Sequence, residues 1–384
     1  MRILALRPKG IVLPSVFASV VEAFRSLGIE VLDIPLPQCS HPLRSIEEII
    51  QGHCQAIFTL NLGADPSFIA KLKELQTSLR IPWITWFVDD PEGYGFPEVC
   101  DSDWTLPFCW DEQICSRRAS WNGWPLVYLP LATDPTIFHP EQSPPELFYP
   151  GGVFVGSTAH RNGIFDLVAS TTPGFGEETE ILWRLYQEDF RQSLHDLAWI
   201  KAAERARQPV GLLQKDPLCR LWAKACVYQV GIRKRQEVAS RVLNPDGCIF
   251  GDEGWGNKVG KDLYRGWVAY GKELRAIYCG SAFILDVRPS QARTGLTQRV
   301  FDASACGSPV VAEWAPEIEA LFDPENELSI FYSLNGAVEM KELCLRDLQG
   351  AQRKAGRARQ RVLAHHTYYH RAEQILKELH RFRV

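Results

Sequence analysis

Three arginines lie within or beside one polar loop in the C-terminal half of the chain: Arg288, Arg293 and Arg299. The loop follows an apolar run, and the pattern predicts that a helix begins close to Thr297. Such a loop places backbone N–H groups and the positive end of a helix where phosphate groups bind. Arginine suits a diphosphate because its planar guanidinium donates two parallel hydrogen bonds. These residues therefore predict a binding site for a diphosphate.

An acidic residue and two flanking strands complete this stretch. Asp302 lies five residues beyond Thr297, where its carboxylate can accept hydrogen bonds from a ribose. The apolar runs 282–287 and 310–312 predict buried strands, and Gly-Ser-Pro at 307–309 ends the helix between them. Strand, loop, helix and strand in this order form one parallel βαβ crossover. The stretch 288–322 therefore predicts a nucleotide-diphosphate pocket at the edge of a parallel sheet.

Two adjacent carboxylates, Asp89 and Asp90, follow another unbroken apolar strand at 83–88. The carboxyl end of a central parallel strand is where α/β proteins place active-site groups, and two close carboxylates favour acid–base chemistry. A structural interpretation is also open, because Pro91 follows and Asp is common in such turns. The pattern alone favours this structural interpretation.

Composition narrows the class of protein. A chain of 384 residues is long enough for two domains, each with its own core, and 46% hydrophobic residues fit a folded protein. The net charge of −4 argues against a nucleic-acid partner. The 11 cysteines are scattered with no C-x-x-C pair, which favours reduced thiols over disulfides or zinc. Since no apolar run reaches membrane-spanning length, we expect a cytoplasmic protein without an integral membrane segment.

Strand and helix patterns alternate through both halves of the chain. Residues 1–140 open with a strand, a helix and a second strand, as a Rossmann-like domain does. The Pro-, Glu- and Ser-rich segment 140–150 predicts a linker. A second series begins at 152–157, and residues 177–240 have helix-period apolar patterns that predict a mostly helical insertion. We interpret its basic run at 233–235 as a solvated face rather than a binding patch.

A histidine pair near the C-terminus, His366 and His370, has the i, i+4 spacing of some zinc sites. A third ligand and a nearby base are missing from the local pattern. We therefore predict a structural use for both histidines and no metal site.

The segment 295–322, GLTQRVFDASACGSPVVAEWAPEIEALF, resembles the end of the CgeB-like (spore-maturation) glycosyltransferases, within glycosyl transferases group 1. Seven residues match the family pattern D-G-L-x-x-R-x-F-E-x-x-A-C-G: Gly295, Leu296, Arg299, Phe301, Ala305, Cys306 and Gly307. Asp302 stands where the family has Glu, and Thr294 stands where an acidic residue is usual. Further segments fit in the same order: WFVDDP at 86–91, LPLATDPTIFHP at 129–140, FVGS at 154–157, GDEGWG at 251–256 and HTYYHR at 366–371.

The resemblance implies an α/β chain with the GT-B architecture, in which two Rossmann-like domains face each other across a cleft. An N-terminal, acceptor-side domain would span residues 1–140. A nucleotide-sugar-binding domain would span 151–364, with the helical insertion at about 177–240. The last helix, residues 365–384, would cross back to the N-terminal domain.

The resemblance also implies roles for individual residues. Arg288 and Arg299 would bind the diphosphate, Gly156 would face the cleft, and Arg161 would lie near the diphosphate. Backbone N–H groups in the stretch Thr294, Gly295, Leu296 and Thr297 would hold phosphate oxygens or the sugar. Asp302 would bind the ribose and Asp90 would act on the acceptor side. Trp255 would flank the base or, alternatively, pack beneath the helical insertion.

The implied activity is transfer of a sugar from a nucleotide-diphosphate sugar, a UDP-sugar, to a protein, glycan or surface polysaccharide. The implied reaction retains the anomeric configuration and needs neither a metal nor a further cofactor. Two other functions remain open on the same residues: a non-hydrolysing nucleotide-sugar epimerase and a non-catalytic nucleotide-sugar-binding protein. A scaffold whose helical insertion binds a partner is a third. The sequence indicates neither the acceptor nor the oligomeric state.

Overall fold

A computed structural model describes residues 1–36, 54–61, 66–91, 102–116, 126–141, 148–158, 163–260 and 262–382. The chain divides into two compact units. The first unit comprises Met1–Pro135 together with Val362–Val384, and the second comprises Thr136–Arg361.

Strands and helices alternate along most of the chain. In order, they are β1 (Arg2–Arg7), α1 (Leu13–Ser26), β2 (Glu30–Pro35), β3 (Ala56–Leu60), α2 (Pro66–Leu79), β4 (Trp83–Phe87), β5 (Thr105–Cys109), β6 (Val127–Tyr128), β7 (Val153–Val155), α3 (Gly163–Thr171), α4 (Phe175–Tyr186), α5 (Leu194–Ala206), α6 (Val210–Leu213), α7 (Pro217–Leu243), β8 (Cys248–Phe250), α8 (Lys272–Cys279), β9 (Ile284–Asp286), α9 (Gln298–Ala305), β10 (Val310–Glu313), α10 (Pro316–Leu321), β11 (Ser329–Phe331), α11 (Leu334–Arg346), α12 (Leu348–His365) and α13 (Tyr368–Phe382).

The first unit is built on a six-stranded parallel sheet in the order β2-β1-β3-β4-β5-β6. Every residue of β3, β4 and β5 is buried, as expected for parallel strands covered on both faces. The apolar face of α1 packs on this sheet, where Phe17 and Phe24 lie 6.1 and 5.3 Å from the ring of Phe58. The unbroken apolar runs of the sequence therefore form the centre of the sheet.

The C-terminal helix α13 belongs to the first unit. The buried guanidinium of Arg371 donates to the carbonyls of Pro130 and Leu131 and also lies 3.0 Å from His366 Nδ1. Nδ1 of His370 lies 2.7 Å from the hydroxyl of Thr367. Each histidine thus has its own local partner, in agreement with the structural use predicted for them.

The second unit carries a five-stranded parallel sheet in the order β11-β10-β9-β7-β8. Five helices, α3 to α7, occupy the chain between β7 and β8, which confirms a mostly helical insertion. Aromatic side chains of these helices and of the turn after α4, including Trp183, Phe190 and Trp222, share one apolar core with Phe154 of β7 and Phe283 beside β9. The insertion is therefore part of the hydrophobic core of this unit.

Two parallel-sheet α/β domains confirm the fold class predicted from the sequence. The exact domain boundaries stay a prediction, and residues 142–147 of the proposed linker lie outside the described residues. The cysteines in the described ranges are free thiols. None of the described helices is both long and apolar enough to cross a membrane.

Candidate nucleotide-sugar site

The order of strands reverses direction between β7 and β9 in the second unit. From β7, the next strand along the chain, β8, lies on one side, whereas β9, β10 and β11 follow on the other. In open parallel sheets such a switch point leaves a crevice at the carboxyl ends of the strands, where ligands bind. The loops that leave β7 and β9 hold most of the residues singled out in the sequence.

Arg299 of α9 joins the carboxyl ends of these two strands. Its Nε and Nη2 donate to the carbonyl of Val155, the last residue of β7. Its Nη1 forms an ion pair with Asp286, the last residue of β9. The guanidinium has more N–H donors than these bonds use, so Arg299 keeps donors for a further acceptor. The carboxylate Oδ2 of Asp286 is buried and has no hydrogen-bond partner among the described residues.

Three successive carbonyls at the end of β7 each accept a hydrogen bond from a side chain. Arg299 binds the carbonyl of Val155, the indole of Trp255 binds that of Gly156 at 2.8 Å, and Arg235 binds that of Ser157 at 3.0 Å. A Cβ on Gly156 would lie 2.9 Å from Nη2 of Arg299, so a larger residue would displace the guanidinium. The sequence thus places glycine where the arginine approaches the strand.

Trp255 is fully buried in this structure. Its ring lies 5.6 Å from that of Phe154, close to a right angle, in the core that α4 and α7 also form. Its indole N–H is donated to Gly156, as described above. The observed contacts are those of the packing alternative, and a role beside a base stays a prediction.

The loop between β9 and α9 is fixed by buried contacts at both ends. The backbone N–H of Arg288 donates to Glu313, the last residue of β10, at 3.0 Å, and Nη1 of Arg288 donates to the carbonyl of Arg293 at 3.1 Å. The hydroxyl of Thr294 donates to Glu317 at 3.0 Å. Arg288 is buried, with 4% of its surface exposed. These contacts therefore fix the conformation of the loop that leads to Gly295.

The N-terminus of α9 points its first amide groups toward this edge. Thr297 is the N-cap residue, but its side chain makes no capping bond to the first turn. Its hydroxyl donates instead to Asp286, on the same oxygen that Arg299 contacts. Gly295 and Leu296, just before the cap, are buried. The predicted phosphate-binding stretch 294–297 thus lies between the ends of β9 and β10.

Asp302 is buried in α9, with 1% of its surface exposed. Tyr270 donates its hydroxyl to Oδ2 at 2.8 Å, and Gln298 donates its amide to Oδ1 at 3.0 Å. A role of Asp302 in binding a ribose stays a prediction. The sequence indicated the acidic residue but not Tyr270, which lies in a different loop.

The basic run at 233–235 was expected to be a solvated face, and this expectation is wrong for Lys234 and Arg235. Lys234 has 3% of its surface exposed and forms an ion pair with the fully buried Glu313 at 2.7 Å. Arg235 binds Ser157, and its guanidinium lies 6.0 Å from the ring of Phe154. Arg233 keeps the expected exposed position, at 41%. The sequence contains a signal for this burial, because apolar residues recur about one helical turn before and one turn after Lys234 and Arg235.

Four cationic side chains thus converge on the carboxyl ends of β7, β9 and β10: Lys234, Arg235, Arg288 and Arg299. Burial lowers the pKa of Lys234 to about 8, although Glu313 acts in the opposite direction. Burial, and next the nearby Arg299, lower the pKa of Arg235 to about 10. Both shifts arise mainly from the burial of a positive charge away from water.

Two predicted site residues are not among the described residues of the second unit. Asp90 lies in the first unit, next to Asp89, which accepts a hydrogen bond from Asn61 at 2.8 Å. Arg161 lies outside the described residues. The structure therefore brings together Arg288, Thr297 and Arg299 of the second unit, and the roles of all predicted site residues stay predictions.

Comparison with known proteins agrees with this geometry. Residues 233–377 match a family model described as glycosyl transferase-like. The chain is similar in structure to sucrose-phosphate synthase from Thermosynechococcus elongatus, with a TM-score of 0.54 and 13% identity over 99% of this chain and 98% of that one. For Anabaena HepE in complex with UDP-glucose, the TM-score is 0.55 and the identity 11%, over 99% of both chains.

An alpha-glucosyltransferase in complex with UDP is similar at a TM-score of 0.56 and 10% identity, over 99% of this chain and 98% of that one. No curated protein matches the chain in sequence. At such low identities the structural likeness establishes the fold. The chain therefore has the fold of the GT-B glycosyltransferases, and the glycosyl transferase-like match over residues 233–377 supports glycosyltransferase activity.

Proposed function

We propose that the protein transfers a sugar from a UDP-sugar to a protein, glycan or surface polysaccharide acceptor, in the manner of the CgeB-like enzymes. The observation that carries this proposal is the convergence of Arg288 and Arg299 beside the N-terminus of α9, at the switch point of the second sheet. A diphosphate there would meet guanidinium groups and backbone amides together.

The chemistry of sugar transfer fits such a site. The barrier lies in separating the sugar from a leaving diphosphate that gains negative charge. Arg299 is held by Val155 and Asp286 before any ligand binds, so it need not reorganise during the reaction. Arg288 is fixed in the same way by Glu313 and Arg293. We infer that these two arginines carry the charge that a metal ion supplies in other enzymes, and that Arg299 is the catalytic one.

The remaining roles are proposed as the sequence predicts them. Asp302 would bind the ribose, since both of its oxygens are fixed in place by Tyr270 and Gln298. The backbone N–H groups of residues 294–297 would hold phosphate oxygens or the sugar. Asp90 would act on the acceptor side and Trp255 beside the base. Uracil as the base is supported by the UDP and UDP-glucose in complexes of similar fold. We further propose that the anomeric configuration is retained and that the enzyme works in the cytoplasm.

Binding of UDP tests the proposal directly. In the presence of EDTA, UDP at a hundred times its dissociation constant should stabilise the protein by roughly 2.7 kcal/mol. Loss of charged hydrogen bonds in Arg299→Ala should cost about 1.5–3 kcal/mol of affinity, roughly 10- to 100-fold in Kd. Arg275→Ala is the matched control, because Arg275 is similarly buried and paired with Glu141 at 2.9 Å, yet lies in α8. Equal UDP affinity in wild type and Arg299→Ala would refute the site.

Incubation with a UDP-sugar alone separates the activities. A transferase hydrolyses the donor slowly or leaves it for an acceptor, an epimerase changes the sugar, and a binding protein does neither. NMR of the sugar first released or transferred gives its anomeric configuration. Inversion would contradict the retaining mechanism, and a requirement for a divalent cation would contradict metal independence.

A further inference from the structure

The long helix α7 places Lys234 at the carboxyl edge of the second sheet, beside the proposed donor site. Lys234 lies in this helix, between the rings of Tyr186 and Phe190, whose centroids are 5.6 and 5.8 Å from its Nζ. Its Nζ reaches Glu313 at the end of β10, a residue 79 positions further along the chain. A lysine with 3% exposure beside a fully buried carboxylate is a strong constraint on how these elements pack.

Glu313 connects the helix to the diphosphate loop. One of its oxygens contacts Lys234 at 2.7 Å and Nη2 of Arg288 at 3.4 Å, and the other accepts the backbone N–H of Arg288 at 3.0 Å. One carboxylate thus holds two cations and an amide, from α7 and from the loop after β9. The guanidinium of Arg288 therefore shares the negative charge of Glu313 with the ammonium of Lys234.

We propose that Lys234 is a positioning residue of the donor site: by neutralising Glu313 it leaves the charge of the Arg288 guanidinium available to the diphosphate. The inference rests on the proposed function, since it assigns to the helical insertion a part in binding the UDP-sugar. The close approach of α7 to the same loop supports it, because a Cβ on Gly231, one turn before Lys234, would lie 2.4 Å from Cβ of Ser290.

Lys234 and Arg288 compete for one buried carboxylate, that of Glu313. With Lys234 charged, Glu313 and Lys234 form a neutral pair, and Arg288 retains a net positive charge. Without that charge, Arg288 becomes the counter-ion of Glu313, and its attraction for a diphosphate falls. Charges a few ångström apart interact strongly in a site of low effective dielectric, so losing the charge of Lys234 changes the attraction of Arg288 for a diphosphate.

Affinity for UDP should then depend on the proton of Lys234. The charged or titratable groups around it are Glu313 from β10, Arg288 from the loop after β9, Tyr186 from α4, and Arg235 from its own helix. Burial raises the pKa of Tyr186 far above its usual range, so it stays neutral. Between pH 7.5 and 9.5, Lys234 therefore loses its proton, because its pKa is about 8.

The direction of the effect on affinity differs from that on stability. The terminal phosphate of UDP has a second pKa of about 6, so its charge is constant over this range. Loss of the Lys234 proton should raise the Kd for UDP as pH rises. The free protein is not destabilised by the same step, because the unfolded chain binds this proton more tightly than the folded chain does.

The experiment is a titration of wild type and Lys234→Arg with UDP at pH 7.5, 8.5 and 9.5 by calorimetry. We expect the Kd of wild type to rise roughly tenfold across this range and that of Lys234→Arg to change little, because arginine stays charged. The control is Lys354→Arg: burial lowers the pKa of Lys354 too, but it contacts the carbonyl of Leu328, at the opposite edge of the sheet. The control should keep the wild-type pH dependence.

The double variant Lys234→Met with Glu313→Gln distinguishes positioning from direct contact. If Lys234 acts by neutralising Glu313, removing both charges should keep the Kd within about threefold of wild type at pH 7.5 and abolish its pH dependence. A tenfold or greater loss, or a pH response in Lys234→Arg equal to that of wild type, would overturn the inference while leaving the proposed function intact. Absence of UDP binding by wild type at pH 7.5 would overturn both.

Discussion

At the scale of single residues, the proposed donor site is made of side chains that already hold partners within the protein. Asp302 accepts hydrogen bonds from Tyr270 and Gln298, and Arg299 binds Val155 and Asp286. Such bonds fix the direction of each side chain, so little conformational entropy is lost in ordering these groups when a ligand binds.

The ribose role of Asp302 predicts selective loss of nucleoside affinity. We expect Asp302→Asn to weaken UDP binding about tenfold, because one of the two acceptor oxygens is replaced by an N–H donor. The affinity for inorganic pyrophosphate, which lacks a ribose, should stay within about twofold. Calorimetric titration with both ligands measures the difference.

Two further variants sharpen this comparison. Tyr270→Phe removes a partner of Asp302 but keeps the carboxylate, so it should cost less UDP affinity than Asp302→Asn. Arg299→Ala should weaken UDP and pyrophosphate alike. Equal losses for both ligands in Asp302→Asn would assign Asp302 to the integrity of α9 instead of the ribose.

Sequence reasoning found the site residues that share one loop and missed those brought in from a distance. Arg288 and Arg299 flank the same predicted loop, so their proximity follows from the βαβ pattern. Lys234 and Arg235 reach the site through partners 79 and 78 residues away. Local patterns assign charged residues to the surface, whereas tertiary packing buries Lys234 and leaves Arg235 only partly exposed.

At the scale of elements, α7 is the part of the insertion that shapes the site. It runs for 27 residues from Pro217, begins with Asp216 as its N-cap, and contributes twelve buried residues to the core. Its period predicted a helix, but its close packing against the loop after β9 depends on Gly231, where Ser290 approaches the helix backbone. His195 of α5 fixes the same point through the carbonyl of Ser290 at 3.1 Å.

We predict that Gly231→Ala destabilises the protein although alanine is the better helix former. The new Cβ would overlap Ser290, and such overpacking costs about 1–3 kcal/mol, which exceeds the gain of about 1 kcal/mol in helix propensity. Gly356→Ala in α12 is the matched control, since nothing lies within 4 Å of its Cβ position. It should stabilise by up to about 1 kcal/mol.

Urea unfolding of both variants and UDP titration provide the measurement. Gly231→Ala should also raise the Kd for UDP, because the loop that carries Arg288 must shift. If Gly231→Ala were as stable as Gly356→Ala and bound UDP normally, the close contact between α7 and the loop would be unimportant.

At the scale of the whole molecule, the first unit is discontinuous in sequence. Its sheet comes from the first 135 residues, whereas α13 comes from the C-terminus. Ile375 and Leu379 are buried on the inner face of this helix, and Arg371 satisfies carbonyls that precede it by 240 and 241 positions. Strand and helix patterns predict each element separately, but they do not show that the two ends of the chain form one core.

Removal of residues 366–384 should therefore destabilise the first unit selectively. Losing the burial of Ile375 and Leu379 costs about 1.5–3 kcal/mol for each side chain, and the carbonyls of Pro130 and Leu131 lose a charged donor. We expect hydrogen exchange to show faster exchange in β1 and β3 to β5, while β7, β9 and β10 stay protected. UDP should still slow exchange in residues 288–302, because the proposed donor site lies wholly in the second unit. Lys377→Ala, on the exposed face of α13, is the control and should leave both units unchanged. Equal loss of protection in both units would mean that they unfold as one cooperative body, and unchanged exchange in β1 and β3 to β5 would mean that α13 contributes little to the first core.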